Sequence, residues 1–218
     1  MMERKITLPL YIGAFLISLT IFLAGIFVGR LIDTSSLEGI SEDLSRVSQR
    51  MTSVHLLLLM EGNSSSFCPV YKSELRSMDE EVELMGHKLS YLEDEKGVYD
   101  NELKKQYFAL EASSYLLSKK VGELCGDDSV LLINFYSNTN CSSCKEQGIE
   151  ILKARDALAS SGIAVKLYSF DGDLGSPIAD AFKTQYGIKG YPSIVIDEAT
   201  YAGYMDAEEL ENTIREMR

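Results

Sequence analysis

The chain of 218 residues contains no tryptophan, four prolines, two histidines and four cysteines. Four cysteines are too few to staple a disulfide scaffold, and two of them, Cys68 and Cys125, stand isolated. The other two, in Cys141-Ser142-Ser143-Cys144, suit a redox module. No metal site is expected. There is no second Cys-x-x-Cys or Cys/His cluster to complete a zinc site, and His55 and His87 lie on separate helical stretches without carboxylates or cysteines at ligand spacing. Basic clusters are equally scarce: 33 acidic residues against 21 basic ones give a formal charge of -12, an acidic excess that argues against nucleic acid as a partner.

Charge is missing altogether from Ile6 to Gly29. As a helix this run would extend about 36 Å, enough to cross a hydrocarbon core of about 30 Å with some tilt. A cleaved signal peptide is the competing reading. The run exceeds a usual apolar signal region, however, and no clean small-x-small site follows it, Ala24 and Gly25 being the nearest approach. No cysteine follows directly, which argues against a lipoprotein anchor. Arg4 and Lys5 precede the run, whereas Arg30 is soon offset by Asp33 and Glu38. The positive-inside rule therefore favours a cytoplasmic N-terminus with the bulk of the chain outside. Residues 1–34 are read as a cytoplasmic tip and transmembrane anchor.

Residues 35–128 form a helical region. A first helix is expected over Ser35 to Met60, broken at Asn63 to Ser66, and a second from near Cys68 with Pro69 in its first turn. Tyr71, Leu75, Met78, Val82, Met85, Leu89 and Leu92 alternate steps of four and three, as a coiled-coil seam requires. Leu103, Tyr107, Leu110, Ser114, Leu117, Val121 and Leu124 repeat the steps with one polar member. An antiparallel hairpin turning near Glu95, Lys96 and Gly97 brings together residues whose numbers sum to about 193, which Cys68 and Cys125 satisfy. A disulfide between them is expected at the open end of the hairpin, with two unpaired thiols as the alternative. The acidic run Asp79, Glu80, Glu81 and Glu83 reads as a solvated face.

Residues 129–218 read as strand (Val130 to Phe135), helix (Cys141 to Ala159, with Ile149, Leu152 and Ala159 inward), strand (Ala164 to Phe170) and helix (Ser176 to Tyr186). Two further strands (Ser193 to Asp197, Thr200 to Tyr204) and a last helix from Asp206 to Met217 follow, giving the order βαβαββα. A Cys-x-x-Cys at the first strand–helix junction has a specific meaning. Cys141 at the positive helix N-terminus has a stabilised thiolate and attacks a partner disulfide. Cys144, one turn deeper, then attacks the mixed disulfide and releases the partner. Ser142 and Ser143 are small enough to leave Cys141 open and can turn hydroxyls towards its sulfur.

With Tyr186-Gly187-Ile188-Lys189-Gly190-Tyr191-Pro192-Ser193 downstream, the segment from about Ser129 to Arg218 resembles the thioredoxin family. The resemblance implies a thioredoxin-like α/β fold, here preceded by one transmembrane helix and a helical hairpin. It implies a cis Pro192 beside the cysteine pair, with Tyr191 offering backbone hydrogen bonds to substrate, and puts Asn134 near the family's buried acidic residue. Three departures stand out: Asn134 for that acid, Asn140 for the usual tryptophan before the first cysteine, and Ser-Ser between the cysteines. The family's leading strand and helix are absent, unless the hairpin covers that sheet edge.

The expectation is a membrane-anchored, extracytoplasmic thiol-disulfide oxidoreductase acting on protein thiols and disulfides. It needs no cofactor beyond the Cys141/Cys144 disulfide and has a membrane protein as redox partner, while the direction of electron flow stays open. The alternative is a tethered adaptor with a structural disulfide and a partner-binding hairpin.

Overall fold

The structure, a computed structural model, describes residues 8–61 and 65–218. Its first element, α1 (Leu8–Glu61), is one uninterrupted helix of 54 residues joining what the sequence suggested were an anchor and a separate first helix. The composition changes at Arg30, but nothing there breaks a backbone: after Pro9 the stretch has no proline, and single glycines are tolerated within a helix. Ile6 and Thr7 of the expected anchor lie outside the described residues. Among the described residues no helix is long and apolar enough to cross a membrane. Between Tyr11 and Ile26, where side chains are described, Tyr11, Phe15, Ile21 and Phe22 are exposed.

The expected break at Asn63 to Ser66 falls partly outside the described residues. A 3₁₀ turn, Ser65–Phe67, then leads into α2 (Cys68–Lys96), with Pro69 in its first turn. All seven seam residues of α2 are buried. The chain reverses at residues 97–100, slightly later than the sequence suggested. Gly97 takes the left-handed cap at φ 64°, and the Asp100 carboxylate accepts from Glu102 N–H (3.1 Å) and Leu103 N–H (3.0 Å) to open α3 (Asn101–Cys125). At the far end the Cys68–Cys125 disulfide is formed, with Cα atoms 5.4 Å apart. Helix α1 lies antiparallel against α2, burying Ile40, Leu44, Val47, Met51 and Val54 and pairing Asp43 with Lys88 (3.3 Å) and Arg50 with Glu74 (2.8 Å). The result is a bundle of three helices. The acidic run is not simply a solvated face: Glu81 binds Arg46 and Arg50 of α1, Asp79 binds Lys166 (2.9 Å) and Glu83 binds Arg155 (2.8 Å).

Beyond the bundle come β1 (Val130–Tyr136), α4 (Cys144–Ser160), β2 (Val165–Asp171), α5 (Pro177–Tyr186), β3 (Ser193–Ile196), β4 (Ala199–Ala202) and α6 (Ala207–Glu216). The sheet order is β2-β1-β3-β4, with β2 parallel to β1 and the rest antiparallel; Asn134 stands beside Ser169 on one flank and Ile194 on the other. Val130, Leu132, Ile194 and Ile196 pack under α4 and α6. The inward residues of α4 are Ile151, Ala154 and Leu158, whereas Ile149, Leu152 and Ala159 are exposed, contrary to the sequence reading. The helix begins at Cys144 rather than Cys141, and its inward stripe runs through 144, 147, 151, 154 and 158.

On the other face Ile133, Phe135, Phe170 and Val195 join one continuous core with the helical bundle. Phe108 meets Phe170 and Tyr115 meets Tyr168, ring centres 5.4 Å apart in both pairs. Helix α3 is thus buried on two sides, and it covers the outer edge of β2. There Ser169 N–H donates to the Glu111 carboxylate (3.2 Å), and Tyr168 donates to the Ser118 hydroxyl (2.9 Å). An edge strand's unpaired N–H groups invite foreign pairing; here the hairpin occupies that edge.

Candidate active site

The loop from β1 to the cysteines is tied down by its own polar residues. The Ser137 hydroxyl accepts from the N–H groups of Thr139 (3.1 Å) and Asn140 (3.0 Å) and donates to Asp173, while Asn138 donates to Asp171 (3.1 Å). The loop is thereby fixed to the segment that follows β2. Cys141 lies half-buried in the bend before α4, and Cys144, the first residue of that helix, is buried; the two form a disulfide with Cα atoms 5.4 Å apart. Ser143 is the N-cap, and its hydroxyl makes no capping bond, so it does not compete for the first-turn N–H groups that stabilise a Cys141 thiolate. Ser142 is exposed.

Other residues hold this arrangement without being evident in the sequence. Gln147, one turn beyond Cys144 and fully buried, donates to the Met205 carbonyl (2.9 Å) and accepts from the Met205 N–H (2.8 Å). Glu150 accepts from Ala207 N–H (3.0 Å), fixing α6 against α4. The Tyr191–Pro192 peptide is cis and Pro192 is buried. Ser193, next in the chain, pairs with Phe135 at the end of β1, so Pro192 and the cysteine loop occupy the same end of the sheet. The Tyr191 hydroxyl accepts from Lys183 (3.3 Å), and its ring lies so close to Gly172 that a Cβ there would collide.

A cavity of about 690 Å³ opens between α2, α3, the β1–β2 edge and α4; Cys141, Cys144, Asn134, Glu111, Ile149 and Leu152 are among its lining. The Glu83–Arg155 ion pair (2.8 Å) bridges α2 and α4 beside it. Asn134 is buried and its Oδ1 has no hydrogen-bond partner. Glu111, 5% exposed, accepts from the Tyr107 hydroxyl (2.9 Å) as well as from Ser169. Burial pushes its carboxyl up to about 8, with both hydrogen bonds acting in the opposite direction. Tyr107 reaches it only because residue 86 is glycine: a Cβ there would collide with the tyrosine hydroxyl. Sequence reasoning missed Glu111. The available signal was a carboxylate among Phe108, Leu110, Ala112 and Tyr115, too apolar a setting for a solvated charge.

His87 does have a carboxylate one turn away, Glu83 at 3.7 Å, but it is exposed. Among the described residues no group of three or more His, Cys, Asp or Glu could hold a metal.

The site lies towards the α2–α3 turn: Lys104 of α3 pairs with Glu93 (2.7 Å), approaches Asp171 (3.9 Å) and stands 5.7 Å from the centre of the Tyr136 ring. Continuing the antiparallel pairing of Asp43 with Lys88, the uncharged part of α1 extends beyond this same end of the bundle. About nine residues, roughly 14 Å of helix, separate Gly29 from the level of Glu93. The Cys68–Cys125 disulfide is at the opposite end.

No family model matches the sequence, and no curated protein matches it. Among solved structures, chloroplastic thioredoxin z is similar at 18% identity and TM-score 0.35, over 46% of this chain and 88% of that one. The first thioredoxin domain of mouse protein disulfide-isomerase A4 gives 21% and 0.34, over 45% and 70%. The germline-specific thioredoxin Deadhead of Drosophila melanogaster gives 19% and 0.33, over 48% and 92%. Independently of these values, the strand order β2-β1-β3-β4, the Cys-x-x-Cys at the β1–α4 junction and the cis proline before β3 give residues 129–218 a thioredoxin-like fold.

Proposed function

We propose that the chain is a membrane-anchored, extracytoplasmic thiol-disulfide oxidoreductase that exchanges disulfides with protein substrates through Cys141 and Cys144. The observation that carries this reading is the pair itself: a half-buried sulfur in the bend before a helix N-terminus, with its partner sulfur buried one step inside. Cys141 attacks a substrate disulfide and forms a mixed disulfide. Cys144, deprotonated, attacks the Cys141 sulfur, and the substrate leaves as a thiolate; the reverse sequence oxidises a substrate dithiol. Tyr191 and Pro192 border the docking surface, and Asn134, Ser142 and Ser143 support it.

The anchor reading is supported by the exposed apolar side chains of α1. A formed Cys68–Cys125 disulfide favours an oxidising compartment. The uncharged segment extends beyond the end of the bundle that carries the cysteine pair, which favours a membrane-embedded redox partner. The hairpin's apolar seam packs internally, which leaves little of it for the adaptor alternative. The test is insulin reduction and oxidation of a reduced protein by the wild type and Cys141→Ser: equal rates would remove the enzyme reading. Cys144→Ser should accumulate mixed disulfides with natural substrates. Reaction with a membrane-impermeant thiol reagent on intact cells checks the compartment separately.

A further inference from the structure

We propose that Glu111, carried by the hairpin and not by the sheet, exchanges the Cys144 proton through the cavity it shares with that cysteine and Asn134. This rests on the thiol-disulfide reading above. In the resolving step the Cys144 thiol must lose a proton before its sulfur can attack, and thiol-rich sites supply a nearby base for such transfers. Asn134 of β1 lines the same cavity as the pair, and its amide cannot accept a proton at ordinary pH. Its Oδ1 is buried and without a hydrogen-bond partner, Asn134 and Ser169 are neighbours across β1 and β2, and the Glu111 carboxylate receives the Ser169 N–H. The cavity of about 690 Å³ that they share is large enough to admit water, which would connect the groups.

The charged neighbours are already engaged. Lys166 of β2 pairs with Asp79 of α2 (2.9 Å), and Arg155 of α4 with Glu83 of α2 (2.8 Å). Lys104 of α3 is taken by Glu93 of α2 (2.7 Å), with Asp171 of β2 at 3.9 Å. Tyr107 of α3, Tyr136 of β1 and Tyr168 of β2 are all pushed by burial above their ordinary range and stay protonated. His87, Asp94 and Lys145 line the cavity from its exposed side. Among the described residues that line the cavity, Glu111 is left as the buried carboxyl without a cation, and burial brings it up to about 8, near the range of an ordinary thiol, where transfer in either direction is nearly balanced.

The step balances. Cys144–SH and the Glu111 carboxylate become Cys144–S⁻ and the carboxylic acid. The thiolate then displaces the partner from Cys141, forming the Cys141–Cys144 bond as the Cys141–partner bond breaks, and the partner departs as a thiolate carrying the electron pair.

Single-turnover reaction of the reduced full chain with dithiobis(nitrobenzoate) separates the two attacks. The first chromophoric thiolate reports Cys141 and the second reports Cys144. Glu111→Gln should leave the first phase unchanged and slow the second by roughly a hundredfold at pH 7, the lower range of general-base effects. It should also remove the inflection near pH 8 from the second phase. Tyr107→Phe removes a hydrogen bond that lowers the Glu111 pKa, so it should move that inflection upward. A second phase with the wild-type rate and pH profile in both variants would overturn the proposal. Absence of any first phase in the wild type would instead overturn the oxidoreductase reading. If Glu111→Gln does not fold, carboxyl NMR titration decides: the Glu111 pKa should differ between the reduced wild type and Cys144→Ser, and identical curves would refute the coupling.

Discussion

Neutralising Glu111 should make the protein more stable at alkaline pH and slightly less stable at acid pH. In the unfolded chain this carboxyl titrates at 4.5, and in the folded protein at about 8. Between those values the folded state holds a proton that the unfolded state has lost, so stability falls as pH rises through the window. Each pKa unit is worth about 1.4 kcal/mol, so the full loss by pH 8 is about 5 kcal/mol and the loss by pH 7 about 3 kcal/mol. Total stabilities of roughly 5–15 kcal/mol make this a large fraction. Glu111→Gln removes the titration. It also disturbs one of the two hydrogen bonds from Tyr107 and Ser169, a pH-independent loss of about 1 kcal/mol. The variant should therefore be less stable than the wild type at pH 4, cross it near pH 5 and exceed it by several kcal/mol at pH 8. Urea unfolding of the oxidised protein in detergent, followed by circular dichroism at each pH, measures the difference directly. A variant-minus-wild-type difference that stays constant from pH 5 to pH 8 would refute the reasoning.

Replacing Cys68 and Cys125 by serine opens a loop with a sequence separation of 57 and should lower stability by about 4 kcal/mol in urea unfolding, with the rate of Cys141 exchange unchanged. Gly86→Ala forces the Tyr107 hydroxyl away from Glu111 and should lower stability by about 1–3 kcal/mol in thermal melting, whereas Gly148→Ala, which meets open space, should not. Gln147→Ala leaves the Met205 N–H and carbonyl unpaired in the interior and should cost about 2–4 kcal/mol, with faster amide exchange at Met205 as the local signature.

Much of the helical region was legible because one seam governs it. The seven α2 positions are all buried, and the same register sets Cys68 beside Cys125, whose Cα atoms lie 5.4 Å apart. A heptad reading describes only one seam, however. Helix α3 has a second contact through Phe108, Tyr115 and Ser118 against β2, and Glu111 belongs to that side. The apolar Ile149 and Leu152 were misplaced because hydrophobicity does not distinguish a core from a cavity wall. The continuity of α1 was hidden by composition: the change from uncharged to charged residues alters the solvent a helix suits, not its backbone. The Cys-x-x-Cys and the strand–helix order were readable from local sequence, whereas the cis Pro192 was an expectation from the family resemblance alone.

The central claim, that Cys141 and Cys144 form a working redox couple, is tested most directly by the reduction potential of the pair. The full chain is equilibrated in graded thiol–disulfide buffers, its free thiols are alkylated, and the positions are read by mass. The account expects Cys141 and Cys144 to open together in one two-electron transition at a potential less negative than about -300 mV, with Cys68–Cys125 still closed. Opening of both disulfides together below that value would mark Cys141–Cys144 as merely structural and contradict it.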